Sequence, residues 1–196
     1  MSTPTKLISY EDSLTMPENR LEEIVHGESR IMPPATTFHA FLLLKLGRIL
    51  ESQLDARDCA VLPAGAGLGI ERNPLTYRIP DLSVFRIDAL RQGQEANGDM
   101  DPYLWAVPEL IVECLSPSNR KGAVAELLAD YARIDTPEAW LLDPKLPRFS
   151  SYRYESGEMR LWRTAASGLA TPLLLPGVTV EVAELWAAFK KGALGL

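Results

Sequence analysis

Arg78-Ile79-Pro80-Asp81-Leu82-Ser83-Val84, and after it Pro108-Glu109-Leu110-Ile111-Val112-Glu113-Cys114-Leu115-Ser116-Pro117-Ser118, decide how this chain is read. Each stretch is a short aliphatic run with an acidic residue set into it, the composition of a buried strand. A carboxylate placed there loses much of its hydration, and something must offset that cost. One divalent cation gripped by both carboxylates is such an offset, which makes Asp81 and Glu113 the first candidate metal ligands. Donor sets made only of oxygen suit hard cations, so the ion expected is Mg²⁺ or Mn²⁺. Bound there, it would polarise a phosphoryl oxygen and lower the pKa of a bound water. On spacing alone a plainer reading stays open, in which both acids are edge or loop-proximal residues.

Working outward, residues 1–20 read as a partly irregular segment with Pro4 and Pro17 and a helical turn around Ser9 to Leu14. Residues 22–32 read as a hairpin turning at His26-Gly27. After Pro33-Pro34, Thr36 or Thr37 caps a helix to about residue 53, with an apolar stripe of Phe38, Phe41, Leu42, Leu46, Ile49 and Leu50. Two strands, Cys59 to Leu62 and Leu68 to Ile70, flank Pro63-Ala-Gly-Ala-Gly, a turn and not a phosphate loop because no Lys-Ser/Thr follows it. Residues 88–102 are polar and acidic and read as an exposed loop. Ser116-Pro-Ser-Asn119 breaks the Glu113 strand and caps a helix over about 120–134 that buries Val124, Leu127, Leu128 and Tyr131. A strand at Ala139 to Leu142, a hairpin around Ser156-Gly157, and Val178-Thr-Val leading to a helix with Leu185, Trp186 and Phe189 complete the chain. The order predicts one α/β domain over 1–196, a mixed sheet core flanked by helices.

Composition narrows the function classes. The chain has 196 residues and a net charge of −6, which argues against indiscriminate coating of nucleic acid. A local basic groove remains open, from Arg72, Arg78, Arg86 and Arg91 around the first acidic stretch and Arg120 and Lys121 after the second. Cys59 and Cys114 read as reduced core thiols. No apolar run reaches the roughly 18 residues of a membrane span, and Met1 to Lys6 lacks a hydrophobic core, so a cytoplasmic protein is expected. A serine hydrolase using Ser116 or Ser118 has no Gly-x-Ser-x-Gly elbow to support it.

The order and spacing of several pieces resemble the Uma-two family of restriction-endonuclease-like proteins. The pieces are Glu23-Ile-Val-His-Gly-Glu28, Pro33-Pro34 with His39 opening a helix, and Pro80-Asp81-Leu-Ser-Val. They continue with Pro108 to Ser118, Tyr131, and Pro137-Glu-Ala-Trp140-Leu-Leu-Asp143-Pro144. The resemblance implies the PD-(D/E)XK nuclease fold, with Asp81 and Glu113 as the metal-binding and catalytic carboxylates. It also implies DNA as substrate and, as often in this fold, a homodimer. The segment Leu185 to Leu196 would supply a dimer contact or pack on its own domain. Glu23 matches a glutamate of the family's first strand and is the candidate third acid, ahead of Glu28, which reads as a surface residue. His39 reads as a boundary histidine. The chain departs from the pattern where the superfamily lysine would stand, at Leu115, and where the family carries a helix Asp and Lys, at Ala123 and Leu127. Lys121, six residues before Leu127 and on a different side of the helix, is the candidate catalytic lysine, reaching the metal from the helix start, or else a solvated surface residue. Two functions follow: a metal-dependent DNA endonuclease, or a degenerate relative that keeps the fold as a binding or assembly module.

Overall fold

A computed structural model describes residues 7–16, 22–98, 101–116 and 121–187, with Lys121 described by its backbone alone. The chain opens with helix α1 (Tyr10–Ser13), whose capping box joins Ser9 and Asp12. A hairpin of β1 (Glu22–Val25) and β2 (Glu28–Ile31) follows, with His26 and Gly27 in the left-handed region at its turn. Helix α2 (Thr37–Glu51) starts at an N-cap where the Thr36 side chain accepts the His39 N–H. Next come β3 (Cys59–Pro63), β4 (Gly67–Arg72), β5 (Leu75–Arg78) and β6 (Leu82–Arg86). Helix α3 (Ile87–Asn97), β7 (Tyr103–Leu104), β8 (Leu110–Cys114) and helix α4 (Lys121–Arg133) follow. The chain continues through β9 (Glu138–Asp143), β10 (Arg148–Glu155), β11 (Glu158–Ala165), β12 (Leu169–Ala170), β13 (Val180–Glu181) and α5 (Val182–Ala187).

The mixed α/β architecture is the expected one, but the strands divide into two main sheets. One has the order β2-β1-β5-β4-β7 and the other β11-β10-β9-β8-β6-β3, with β12 and β13 as a separate pair. Alternate residues of the six-stranded sheet face opposite layers. Leu82, Val84, Leu110, Val112, Trp140 and Leu142 pack with Leu42, Leu46 and Leu50 of α2 and Leu185 of α5. Phe85, Ile111, Ala139 and Leu141 face Leu128 and Tyr131 of α4. Trp140 and Phe149 meet edge to face, with ring centroids 5.0 Å apart.

Three expectations need correction. Residues 88–102 are not simply a loop: α3 occupies most of them, because Leu90 packs against the α4-side core and Gly93 lies tight against Trp105. The two strands around the glycine-rich turn do not pair with each other; β3 joins the six-stranded sheet and β4 the other, where it forms a hairpin with β5. Most consequentially, Arg78 to Val84 is not one strand. Arg78 ends β5 in one sheet, Pro80 and a bend at Asp81 turn the chain, and β6 begins at Leu82 in the other. At the C-terminus, Leu185 is buried in the chain's own core, while Phe189 and the rest of the segment to Leu196 lie outside the described residues.

A candidate carboxylate site where two sheets meet

The β6–β8 pairing sets Leu82 opposite Val112 and Ser83 opposite Ile111, and Asp81 and Glu113 are the next residues beyond that end of the ladder. Asp81 lies toward His39 of α2 and Glu113 toward Tyr131 of α4. The backbone of β6 has already bent away at this point, and the Asp81 side chain continues the ladder in its place. The Cys114 N–H donates to Asp81 Oδ2 at 2.7 Å. Asp81 Oδ1 lies 2.9 Å from His39 Nε2 on α2. Among the described residues this buried nitrogen makes no hydrogen bond, so the contact is one of charge and proximity. His39 is therefore no simple boundary histidine; it faces the candidate acid.

Glu113 is held from the other side. Tyr131 of α4, fully buried, donates its phenol O–H to Glu113 Oε1. Desolvation first, and then the negative charge of Asp81, push the Glu113 carboxyl well above the ordinary carboxylate range. The Tyr131 bond and Arg78 pull the other way, and Glu23 adds to the rise. Glu113 therefore feels the charges of both Asp81 and Glu23. The same environment raises the Cys114 thiol to about 12, burial being the main cause.

Glu23 approaches from β1. Its Oε2 accepts from Arg78 Nη1 at 2.9 Å and its Oε1 accepts the Ile79 N–H at 2.9 Å. Arg78 also donates from Nε and Nη2 to Asp130 Oδ2 on α4, at 2.8 and 2.6 Å. Burial opposes the Arg78 charge, but Glu23 and Asp130 more than offset it, so its pKa lies above the ordinary value. A groove of about 360 Å³ between α2 and β3 opens beside Asp81 and His39, with Ala40, Leu43, Leu44 and Val61 in its walls.

The other predicted residues lie away from this cluster or outside the described chain. Glu28 is exposed on β2, as its surface reading had it. Lys121 begins α4, but its side chain lies outside the described residues, as do Ser118 and Arg120. Leu127 packs into the apolar core on the α4 side of the sheet. The arginines do not line one open groove. Arg78 is buried among acids, Arg72 lies between the rings of Tyr10 and Trp105, and Arg86 faces Glu109 at 3.6 Å. Sequence reasoning missed Arg78 and Asp130 as partners and took Tyr131 for core alone. The one signal that could have found them was an arginine and an aspartate each placed among apolar core positions.

A metal ion fits the charge and chemistry of this place in part. Two carboxylates, one of them destabilised by the other's charge, want a hard cation, and Mg²⁺ commonly takes only one or two protein carboxylates, with water and phosphate completing the set. Among the described residues no group of three or more His, Cys, Asp or Glu side chains is arranged to hold a metal. Asp81 and Glu113 would hold the ion, and non-protein oxygens would have to fill the other positions.

Comparisons with known proteins agree with this architecture. No curated protein matches the chain. A solved structure, described as the crystal structure of a "putative nuclease belonging to DUF820 from Anabaena variabilis ATCC 29413", superposes with a TM-score of 0.75. The two sequences are 19% identical, and the match covers 92% of this chain and 98% of the other, a likeness that shows the shared fold. The family model Uma2, described as "Putative restriction endonuclease", matches residues 9–183. A match over nearly the whole chain establishes that this protein belongs to the Uma2 family.

Proposed function

We propose that the protein is a divalent-metal-dependent DNA endonuclease, with Asp81 and Glu113 as its metal ligands. The observation that carries this reading is the closeness of the two acids at one end of the β6–β8 ladder, where Asp81 takes the Cys114 N–H and its charge helps raise the Glu113 pKa. When bound, Mg²⁺ or Mn²⁺ would supply a polarised phosphoryl oxygen and a more acidic water. The chain's own residues do the rest. Cys114 and Tyr131 fix the two carboxylates. His39, close to Asp81, stands where a proton acceptor near the site would be useful.

A second reading, a degenerate relative acting as a binding module, is favoured by one observation. Leu127, in the position that the family resemblance assigns to a helix lysine, packs into apolar core. Loss of a charge stabiliser slows hydrolysis without removing metal binding. Calorimetric titration of wild type and Asp81→Ala with Mn²⁺, paired with cleavage of supercoiled and linear DNA, separates the readings. Metal binding lost in Asp81→Ala together with metal-dependent cleavage supports the nuclease. Metal binding without cleavage of any DNA supports the module, and no heat in wild type removes the site.

A further inference from the structure

Among the described residues, Arg78 is the one base in the buried set, 4% exposed, and it sits between a candidate site acid and an acid of α4. The chain lacks the helix lysine that its family resemblance leads one to expect, so the source of positive charge at the site is an open question. We propose that Arg78 is a positioning residue for the candidate acids. From the end of β5 it holds Glu23 against the turn that carries Asp81, with Asp130 as counter-ion.

The geometry supports each part. Arg78 Nη1 and the Ile79 N–H between them occupy both oxygens of Glu23. Glu23 on β1 is thereby clamped to the backbone that runs two residues later into Asp81. The guanidinium is not placed to touch a phosphate: its side chain is 5% exposed, and Nε, Nη1 and Nη2 all donate to carboxylates. It therefore acts through the acids. An arginine stays charged at any working pH, so its charge is permanent and must be balanced in place. Glu23 and Asp130 do this, Asp130 accepting two bonds from the guanidinium, and Glu126 Oε2 adds a longer contact at 3.5 Å. His26 and Arg133 lie 3.8 and 3.7 Å from the other Asp130 oxygen, so the balance is shared across an extended network. Take away the Asp130 charge and the region beside Glu23 and Glu113 becomes more positive, which repels a bound cation.

This inference rests on the metal site proposed above, and its test tells the two apart. Mn²⁺ affinity is measured by calorimetry on the full chain for wild type, Asp130→Asn, Arg78→Lys and Glu126→Gln, with circular dichroism to check the fold. For Asp130→Asn, losing a negative charge beside the site predicts Mn²⁺ affinity weaker by roughly fivefold or more. Arg78→Lys, which cannot fork between Glu23 and Asp130, should also bind Mn²⁺ more weakly. Glu126→Gln removes the longest of the three acidic contacts to Arg78 and should lower the affinity less, and it reads the same network if the other two variants unfold. If wild type binds Mn²⁺ and every folded variant binds it as tightly, the role of Arg78 is overturned while the metal site stands. If wild type binds no Mn²⁺, both fall.

Discussion

Replacing Arg78 with Met removes the buried base and leaves its acids where they are. Asp130 has a side-chain exposure of 2% and Glu23 of 14%, so neither can recover full hydration. Breaking a buried pair from one side costs about 3–5 kcal/mol, because a charge is left without its partner. Three acids lose Arg78 here, but Glu126 keeps Arg30 and Asp130 keeps Arg133 and His26 nearby, so about 4 kcal/mol is the expected loss. For a chain of this length, 1 kcal/mol moves the melting temperature by roughly 2–4 °C, which predicts a fall of about 8–16 °C in metal-free protein at neutral pH. Differential scanning calorimetry reads it directly. The combined variant Arg78→Met, Asp130→Leu, Glu23→Gln should recover most of the loss, since apolar replacement of a whole buried ion cluster is often close to neutral. A fall of less than about 3 °C in Arg78→Met, or no recovery in the combined variant, would refute the view that these acids depend on this arginine.

The folded state holds the Glu113 proton more tightly than the unfolded chain does, so metal-free wild type should lose stability as pH rises from the ordinary carboxylate range toward the raised value. Glu113→Gln should flatten that slope and be the more stable form at neutral pH, and parallel melting curves for the two would sink the assignment. Gly69→Ala should cost about 1–3 kcal/mol in urea melts, because its new Cβ would stand 2.6 Å from the Trp105 ring; a variant as stable as wild type would show that Trp105 yields freely.

Much of the fold is legible in the residues themselves. Leu42, Leu46 and Leu50 at helical spacing give α2, and the Ser156-Gly157 turn gives the β10–β11 hairpin. No polar–apolar alternation is needed to find β8. Its run Leu110-Ile111-Val112 is aliphatic on both faces, as a central strand covered by helices must be. Asp81 and Glu113 stand out because an acid in such a run is costly wherever it ends up. The α3 helix was hidden by its polar composition, with only Leu90 anchoring it to the core.

What the chain determined alone, then, is its list of local elements and the pair of acids that demand a partner. Periodicity tells which side of its own element a residue takes, and that information is carried by neighbours a few positions away. It does not tell which distant element fills the space opposite. That was decided by tertiary structure: the turn at Pro80 and Asp81 that sends Arg78 and Leu82 to different sheets, the β6–β8 pairing that brings Asp81 to the end of the Glu113 strand, and the packing that brings Asp130, Glu23 and Tyr131 onto them. These contacts join residues 18 to 55 positions apart, and the energy that selects them comes from burying both sheets and α4 together, a property of the assembled core that no single segment contains.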